Sequence, residues 1–265
     1  MVDTAEEVGR ALTDLEDEGN YLDGALGRDN VDLTTPTPSP GWTIAHQIGH
    51  LLWSDRVSTM ACLDPAGFGR QAEAFGADPH KTNNAGAVTE ASRDRAELLE
   101  TWRKGRSDLL NALYDLPADA RIPWFGPAMS VPGMASARIM ETWAHGLDVT
   151  DTLGRPPSAT SRLRHVADLG VRTRDFAFSI HGLRSPWSAF RIELAAPDST
   201  PWTWGPAQAA DRITGSALDF ALLVTQRRHR DDLDLTATAG SADQWLDIAQ
   251  VFAGPAGSGR SPRKL

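Results

Sequence analysis

A carboxylate and an imidazole, Glu141 and His145, lie four residues apart near the middle of the chain. If residues 136–148 form a helix, the two side chains share one face, one turn apart. There they offer two ligands to a divalent metal ion. Asp148 follows three residues later, where it could orient the ring of His145 as a hydrogen-bond acceptor or simply sit at the helix end. The spacing predicts part of a metal site, which needs a further ligand from elsewhere.

Two histidines on an earlier predicted helix compete to be that ligand. His46 and His50 are again four residues apart, so both could face the same way. A lone helical histidine is more often a core or surface residue, but helical bundles commonly hold metals between facing side chains. Gly146, beside His145, would let a ligand approach closely. Three ligands of the His and Glu type leave a position open, as in catalytic zinc sites.

The composition is that of a folded soluble protein, which we expect to be cytoplasmic. The 265 residues are 41% hydrophobic and 23% charged, and the net charge of −9 argues against a nucleic-acid-binding surface. The sequence has neither a membrane-length apolar run nor a basic-then-apolar N-terminus, so we expect no membrane span and no signal peptide. The single cysteine, Cys62, excludes an internal disulfide and a Cys-rich zinc site. We expect it to be a buried apolar residue rather than a catalytic thiol.

The first 160 residues show the periodicity of long amphipathic helices. We predict helices over residues 8–26, 43–63, 88–113 and 136–153, with a Pro-rich, non-helical segment at residues 34–41. Residues 64–86 are rich in glycine and asparagine, and we predict a long loop of the kind that often covers a site. Four helices of this spacing predict an up-and-down bundle, the metal-binding domain, over residues 1–160.

The pattern changes after residue 160. We predict a linking helix within residues 161–184 and then a small α+β domain over residues 185–254. Residues 190–194 alternate apolar and charged side chains, as a strand with one buried face does. Further strands are predicted at residues 201–205 and 233–238, and helices at residues 216–228 and 242–252. Residues 255–265, rich in Gly, Ser and Arg, are predicted to be a flexible tail.

Two motifs, residues 41–51 and 140–148, resemble those of the DinB-like metal-binding helical-bundle superfamily. More closely, the chain is similar to the mycothiol-dependent maleylpyruvate isomerase family of actinobacteria. The resemblance implies an α+β chain, with a DinB-like four-helix bundle followed by a small C-terminal α+β domain. It also implies His50, Glu141 and His145 as the zinc ligands, with His46 as a neighbouring group that contacts a ligand rather than the metal. The bias for arginine over lysine suggests a high-GC genome, which fits an actinobacterial source.

The resemblance extends into the C-terminal region. In the family a helix there begins after a glycine and ends with a functional arginine, and Gly215 and Arg227 match that pattern. The resemblance therefore implies that Arg227 is catalytic and binds the cofactor. Residues 202–205, 226–230 and 245–254 suggest a distinct subfamily that is generally described only as metal-binding. A second family arginine has two candidates, Arg56 and Arg70, which the sequence does not separate.

The chemistry that follows is the activation of a soluble thiol. Zinc held by two imidazoles and one carboxylate favours the thiolate of an entering thiol, which the resemblance identifies as mycothiol. Addition to a small electrophile would then lead either to isomerisation or to an S-conjugate. A zinc-dependent hydrolase that activates water, and a non-catalytic metal- or small-molecule-binding protein, are the alternatives. Nickel, iron or manganese would also suit the ligands, and the oligomeric state stays open.

Overall fold

The computed structural model describes residues 4–27, 31–74 and 79–263. The chain divides into two units, Met1–Ser158 and Ala159–Leu265. The described part of the first unit is helical, and that of the second unit combines helices with one four-stranded sheet. The predicted flexible tail is described as far as Arg263, where residues 255–263 form neither helix nor strand. Lys264 and Leu265 lie outside the described residues.

Six helices are described in the first unit. They are α1 (Thr4–Leu26), α2 (Ile44–Leu63), α3 (Pro65–Ala74), α4 (Pro79–Ala91), α5 (Arg95–Tyr114) and α6 (Val131–Thr152). The four long ones, α1, α2, α5 and α6, are those predicted from the periodicity. Their apolar side chains form two buried clusters, one around Leu109 and Ile139 and the other around Ile48 and Trp102. This burial supplies the main driving force for packing the helices together.

The loop predicted at residues 64–86 is wrong where the structure describes it, because α3 occupies residues 65–74 and α4 begins at residue 79. Residues 75–78 lie outside the described residues. Helix α4 packs very closely on α2: a Cβ on Gly49 would lie 2.7 Å from the carbonyl oxygen of Ala87. A Cβ on Gly86 would lie 2.4 Å from the ring of Trp53. Gly86, one of the glycines in the predicted loop, thus permits close contact between α2 and α4, and this packing overrides its poor helix propensity.

Side-chain caps set the starts of two bundle helices. Asp94 accepts a hydrogen bond from the Glu97 backbone N–H, so the helix predicted over residues 88–113 is divided into α4 and α5. Ser130 accepts one from Gly133 and starts α6 five residues earlier than predicted, with a proline in its first turn. Serine and aspartate at these positions satisfy amide groups that have no partner within the helix.

The second unit begins with two helices where one was predicted. Its elements are α7 (Leu163–Arg172), α8 (Arg174–Ile180), β1 (Phe190–Ala195), β2 (Pro201–Trp204), β3 (Asp211–Ser216), α9 (Ala217–Val224), β4 (Leu235–Ala237) and α10 (Ser241–Ile248). The strand order is β2-β1-β3-β4, with β1 and β3 parallel and the outer pairs antiparallel. Phe190, Ile192 and Leu194 are buried, as their alternation predicted.

Strand β3 was not predicted, and it changes the role of Gly215. This glycine lies in the strand, with φ of 156°, rather than at a helix start. A Cβ there would lie 2.7 Å from the Asp234 carbonyl oxygen, so the close approach of β4 requires glycine. Ser216 is the true N-cap of α9 and accepts a hydrogen bond from Asp219. The strand contains one buried apolar residue, Ile213, too few for a clear alternating pattern.

Candidate metal centre

His50, Glu141 and His145 converge between α2 and α6. Glu141 Oε2 lies 3.2 Å from His50 Nε2 and 3.3 Å from His145 Nε2. The two imidazole rings have centroids 4.3 Å apart. One ligand atom from each residue can be chosen so that all three lie within 4.8 Å of one another. The helix pair thus brings together the three residues that the family resemblance implied as ligands.

The carboxylate of Glu141 is held in its charged form. Its side chain is 22% exposed, while those of His50 and His145 are less exposed still. Burial alone would raise the pKa of Glu141, but its contacts with the imidazoles of His145 and His50 outweigh this effect and hold the pKa well below its ordinary value. An ionised carboxylate between two imidazoles is the protonation state that a metal ligand requires.

The donor set fits a divalent metal ion in kind and in spacing. Tetrahedral zinc with bonds of roughly 2.0–2.1 Å places neighbouring ligand atoms about 3.3 Å apart. The distances of 3.2 and 3.3 Å from Glu141 to the two imidazoles match this value. The other ring nitrogen of His50, Nδ1, is buried and has no hydrogen-bond partner in the part of the chain that the structure describes. The polar contact of this ring is therefore made through Nε2, towards Glu141.

The His145 ring is held from the side away from Glu141: its Nδ1 lies 2.6 Å from Gln47 Oε1. Gln47 is fully buried on α2, and its Nε2 donates to Thr37 Oγ1 at 2.8 Å. Thr37 Oγ1 in turn donates to the backbone carbonyl of Trp42 at 3.0 Å. A hydrogen-bonded chain therefore links a candidate metal ligand to the Pro-rich segment before α2.

The indole of Trp42 lies against the histidines. Its ring centroid is 5.9 Å from that of His145, with nearly stacked planes, and 5.7 Å from that of His50. Such aromatic packing restricts the ring orientations of both candidate ligands. Neither Trp42 nor Gln47 was identified from the sequence. The only signal in the sequence was that Trp42 lies four residues before His46 and that Gln47 lies three residues before His50, and such a spacing does not distinguish a contact with the histidine from a position on the surface.

His46 and Asp148, predicted to lie around the metal, make different contacts. His46 Nδ1 accepts a hydrogen bond from the Thr43 backbone N–H at 3.3 Å and contacts the Thr43 hydroxyl at 2.8 Å, at the start of α2. Asp148 is fully buried and accepts a hydrogen bond from Ser39 at 2.9 Å. Ser39, like Thr37, belongs to the Pro-rich segment, so this segment is fastened to both α2 and α6.

The candidate arginines are engaged in local contacts. Arg56 forms an ion pair with Glu90, and the exposed Arg70 lies 3.8 Å from Asp64. Arg227 is in the second unit, where its Nη1 donates to the Thr225 carbonyl at 2.8 Å. It follows Gln226, which has a positive φ of 58° at the end of α9. Helix α9 ends at Val224, four residues earlier than predicted, so Arg227 lies just past the helix end, and its catalytic role stays a prediction.

The fold of this chain is similar to that of two solved structures. The crystal structure of the mycothiol-dependent maleylpyruvate isomerase matches with a TM-score of 0.60 and 16% identity, over 91% of this chain and 97% of that chain. A histidine-to-alanine mutant of it matches with a TM-score of 0.59 over the same shares. The predicted class is confirmed: an α+β protein with an N-terminal DinB-like four-helix bundle and a small C-terminal α+β domain.

The family is shown by the sequence comparisons. The model of the mycothiol maleylpyruvate isomerase N-terminal domain matches residues 15–150, more than half of the chain, and the chain belongs to this family. Two uncharacterized proteins of Mycobacterium tuberculosis, Rv0036c and MT0041, are each 50% identical over 253 residues, 95% of this chain and 98% of the relative. The motifs around His50 and Glu141 therefore predicted the family correctly.

Two further findings concern the rest of the chain. A second family model, described as wyosine base formation, matches residues 186–238, which include all four strands. Among the helices of residues 4–27, 31–74 and 79–263, none has the length and apolar character needed to cross a membrane.

Proposed function

We propose that this protein is a zinc-dependent enzyme that uses mycothiol to isomerise or S-conjugate a small electrophile. The main support for this proposal is the spacing of His50, Glu141 and His145, in a chain of the mycothiol maleylpyruvate isomerase family. A divalent ion held by these residues supplies positive charge that favours the thiolate form of a thiol bound at its open position. We place the enzyme in the cytoplasm, where low-molecular-weight thiols stay reduced.

The chain's own residues have three tasks in this proposal. Two imidazoles and one carboxylate hold the ion, and the low pKa of Glu141 keeps that carboxylate charged at neutral pH. Trp42 packs on the histidines and limits water at the rings. Arg227, by family resemblance, binds a carboxylate or another polar group of the thiol or the substrate, for which a guanidinium offers paired donors.

The first experiment is a calorimetric titration of the zinc-loaded protein with mycothiol. We expect saturable binding in the wild type and none in His145→Ala, because that variant loses a ligand. Loading the site with Co²⁺ instead provides a second readout, since a thiolate at cobalt gives a charge-transfer absorption band. Absence of both signals in fully metal-loaded wild-type protein would overturn the proposal.

Arg227 is tested separately. Arg227→Ala should keep full metal stoichiometry but weaken mycothiol binding or turnover at least tenfold, the effect of losing about 1.4 kcal/mol of interaction. Arg230→Ala is the matched control, because Arg230 lies three residues away and is paired with Asp243 and Asp247. Equal behaviour of the two variants would assign Arg227 a structural role.

A further inference from the structure

We propose that Gln47 is a positioning residue that fixes the tautomer of His145, with the proton on Nδ1 and the lone pair of Nε2 directed at the metal position. The inference deepens the proposed metal site and rests on it. It concerns a residue outside the three candidate metal ligands. Its basis is the direction of each hydrogen bond in the chain from Trp42 to His145.

The direction of these hydrogen bonds is set at the Trp42 end of the network. A backbone carbonyl can only accept, so the single hydroxyl proton of Thr37 points to the Trp42 carbonyl, 3.0 Å away. Thr37 Oγ1 must then accept from the Gln47 amide, which places the NH₂ group of Gln47 on the Thr37 side at 2.8 Å. The amide oxygen of Gln47 therefore faces His145, and this orientation is determined by the network.

The amide oxygen in turn determines the state of His145. It accepts and cannot donate, and it lies 2.6 Å from His145 Nδ1, so this nitrogen carries the proton. Gln47 is fully buried, which keeps water from competing for the contact. In the neutral ring the remaining nitrogen, Nε2, then has a lone pair and no proton.

The lone pair of Nε2 then faces the other candidate ligands. Nε2 lies 3.3 Å from Glu141 Oε2, about the separation of neighbouring ligand atoms on tetrahedral zinc. With the proton on Nδ1, the ring presents its unprotonated nitrogen at the position where a metal ion would contact both groups.

The group that accepts the hydrogen bond from His145 is the amide of Gln47 and not a carboxylate. A carboxylate acceptor behind a metal-bound histidine raises the basicity of the ring, whereas a neutral amide orients the ring with less added electron density. Gln47 therefore fixes the geometry of His145 while leaving more of the positive charge available to a bound thiol.

The test measures the tautomer in metal-free protein and the metal affinity in parallel. Ring ¹⁵N NMR well above the ordinary histidine pKa of about 6.5 should show His145 protonated at Nδ1, with the signal assigned by its absence from His145→Ala. In Gln47→Leu we expect loss of this preference and a zinc affinity about 10–100-fold lower. Gln47→Glu keeps an acceptor on Nδ1, so it should keep the tautomer and restore the affinity.

Ser39→Ala is the matched control, because Ser39 lies in the same segment as Thr37 but hydrogen-bonds Asp148 instead. It should leave the tautomer and the zinc affinity unchanged. The inference is wrong if Gln47→Leu keeps the Nδ1 proton, or if Leu and Glu variants lose affinity equally with the tautomer intact. Failure of the wild type to bind metal would instead overturn the proposed function, since the NMR measurement needs no metal.

Discussion

Charge balance at the three predicted ligands decides what the site can hold. Two neutral imidazoles and one carboxylate contribute a single negative charge, so a divalent ion among them retains one positive charge. The three side chains are at most 22% exposed, which lowers the effective dielectric between α2 and α6, so this charge acts strongly on any group that binds next to it. The surrounding contacts from Gln47 and Trp42 are neutral, so they orient the ligands without cancelling that charge.

Cys62 can be separated from thiol chemistry by its protonation state. It is buried on α2, and burial raises the pKa of its thiol from 9.0 to about 11. At pH 8 the folded protein then has about 100-fold less thiolate at this position, and we expect alkylation by iodoacetamide to be slowed at least to that extent. Labelling rates in buffer and in denaturant, with Cys62→Ser as the blank, provide the comparison.

The same shift has a consequence for stability. Because the folded pKa is the higher one, the contribution of the thiol is present below its ordinary pKa and is lost as the pH rises towards 11. The free energy of unfolding should therefore fall over this range more in the wild type than in Cys62→Ser. Rapid labelling of the folded protein at pH 8 would show that Cys62 is accessible and would reopen a catalytic role for it.

The candidate metal ligands could be identified from the sequence, but the residues that contact those ligands could not. Glu141 and His145 could be found because a spacing of four residues fixes a shared helix face, and the family motif selected His50 over His46. Gln47 does not lie close to His145 in the sequence. The two residues are 98 positions apart, and their contact depends on how α2 and α6 pack. A buried glutamine and a surface glutamine have the same appearance in a single sequence.

Among the helices, a buried ion pair aligns the two that carry the ligands. Arg138 on α6 donates to Asp55 Oδ1 on α2 at 3.1 Å and to Ser54 Oγ at 2.6 Å, and both charged side chains are at most 5% exposed. Burial raises the pKa of Asp55, and the charge of Arg138 opposes this. Arg138 is one turn from Glu141, so the pair fixes the relative position of the helices close to the site.

Breaking this pair should destabilise the protein strongly. Arg138→Met leaves an unpaired carboxylate buried, and we expect a loss of about 3–5 kcal/mol in the free energy of unfolding, measured in urea by circular dichroism. The loss should shrink at acidic pH, because an unpaired buried Asp55 has a raised pKa and is neutralised by protonation.

Two comparisons make that measurement specific. The double variant Asp55→Leu/Arg138→Met removes both charges and should recover most of the stability, though not the alignment of the helices. Lys104→Ala removes an exposed pair with Asp108 and should change the stability by only about 0.5 kcal/mol. If Arg138→Met behaves like Lys104→Ala, the buried pair does not stabilise the contact between α2 and α6.

Elements were predictable where the local pattern and the tertiary environment agree. The long helices of the bundle and strand β1 have strong periodicity and were found within a few residues, apart from the early start of α6 and the late start of α5. Helices α3 and α4 were missed because their glycines disfavour a helix locally, and for α4 the close contact of Gly86 with Trp53 on α2 shows how packing overrides that preference. Strand β3 was missed because it lies between two other strands yet buries only Ile213.

On the scale of the whole molecule, the three candidate ligands all belong to the first of two units. His50, Glu141 and His145 lie within Met1–Ser158, and each unit has its own buried apolar residues. A ligand that binds only the folded state stabilises whatever structure must unfold to release it. Metal should therefore stabilise the first unit directly, and the second unit only if the two unfold together.

Scanning calorimetry of the full chain with and without zinc distinguishes these cases. At a free zinc concentration about 100 times the dissociation constant, the stabilisation is about 2.7 kcal/mol, which for a unit of this size raises Tm by roughly 5–10 °C. We expect two transitions, of which only one moves with zinc and is restored by a chelator. His145→Ala should show both transitions and no shift. A single transition that moves as a whole would mean that the units unfold cooperatively, and metal binding would then control the stability of the entire chain.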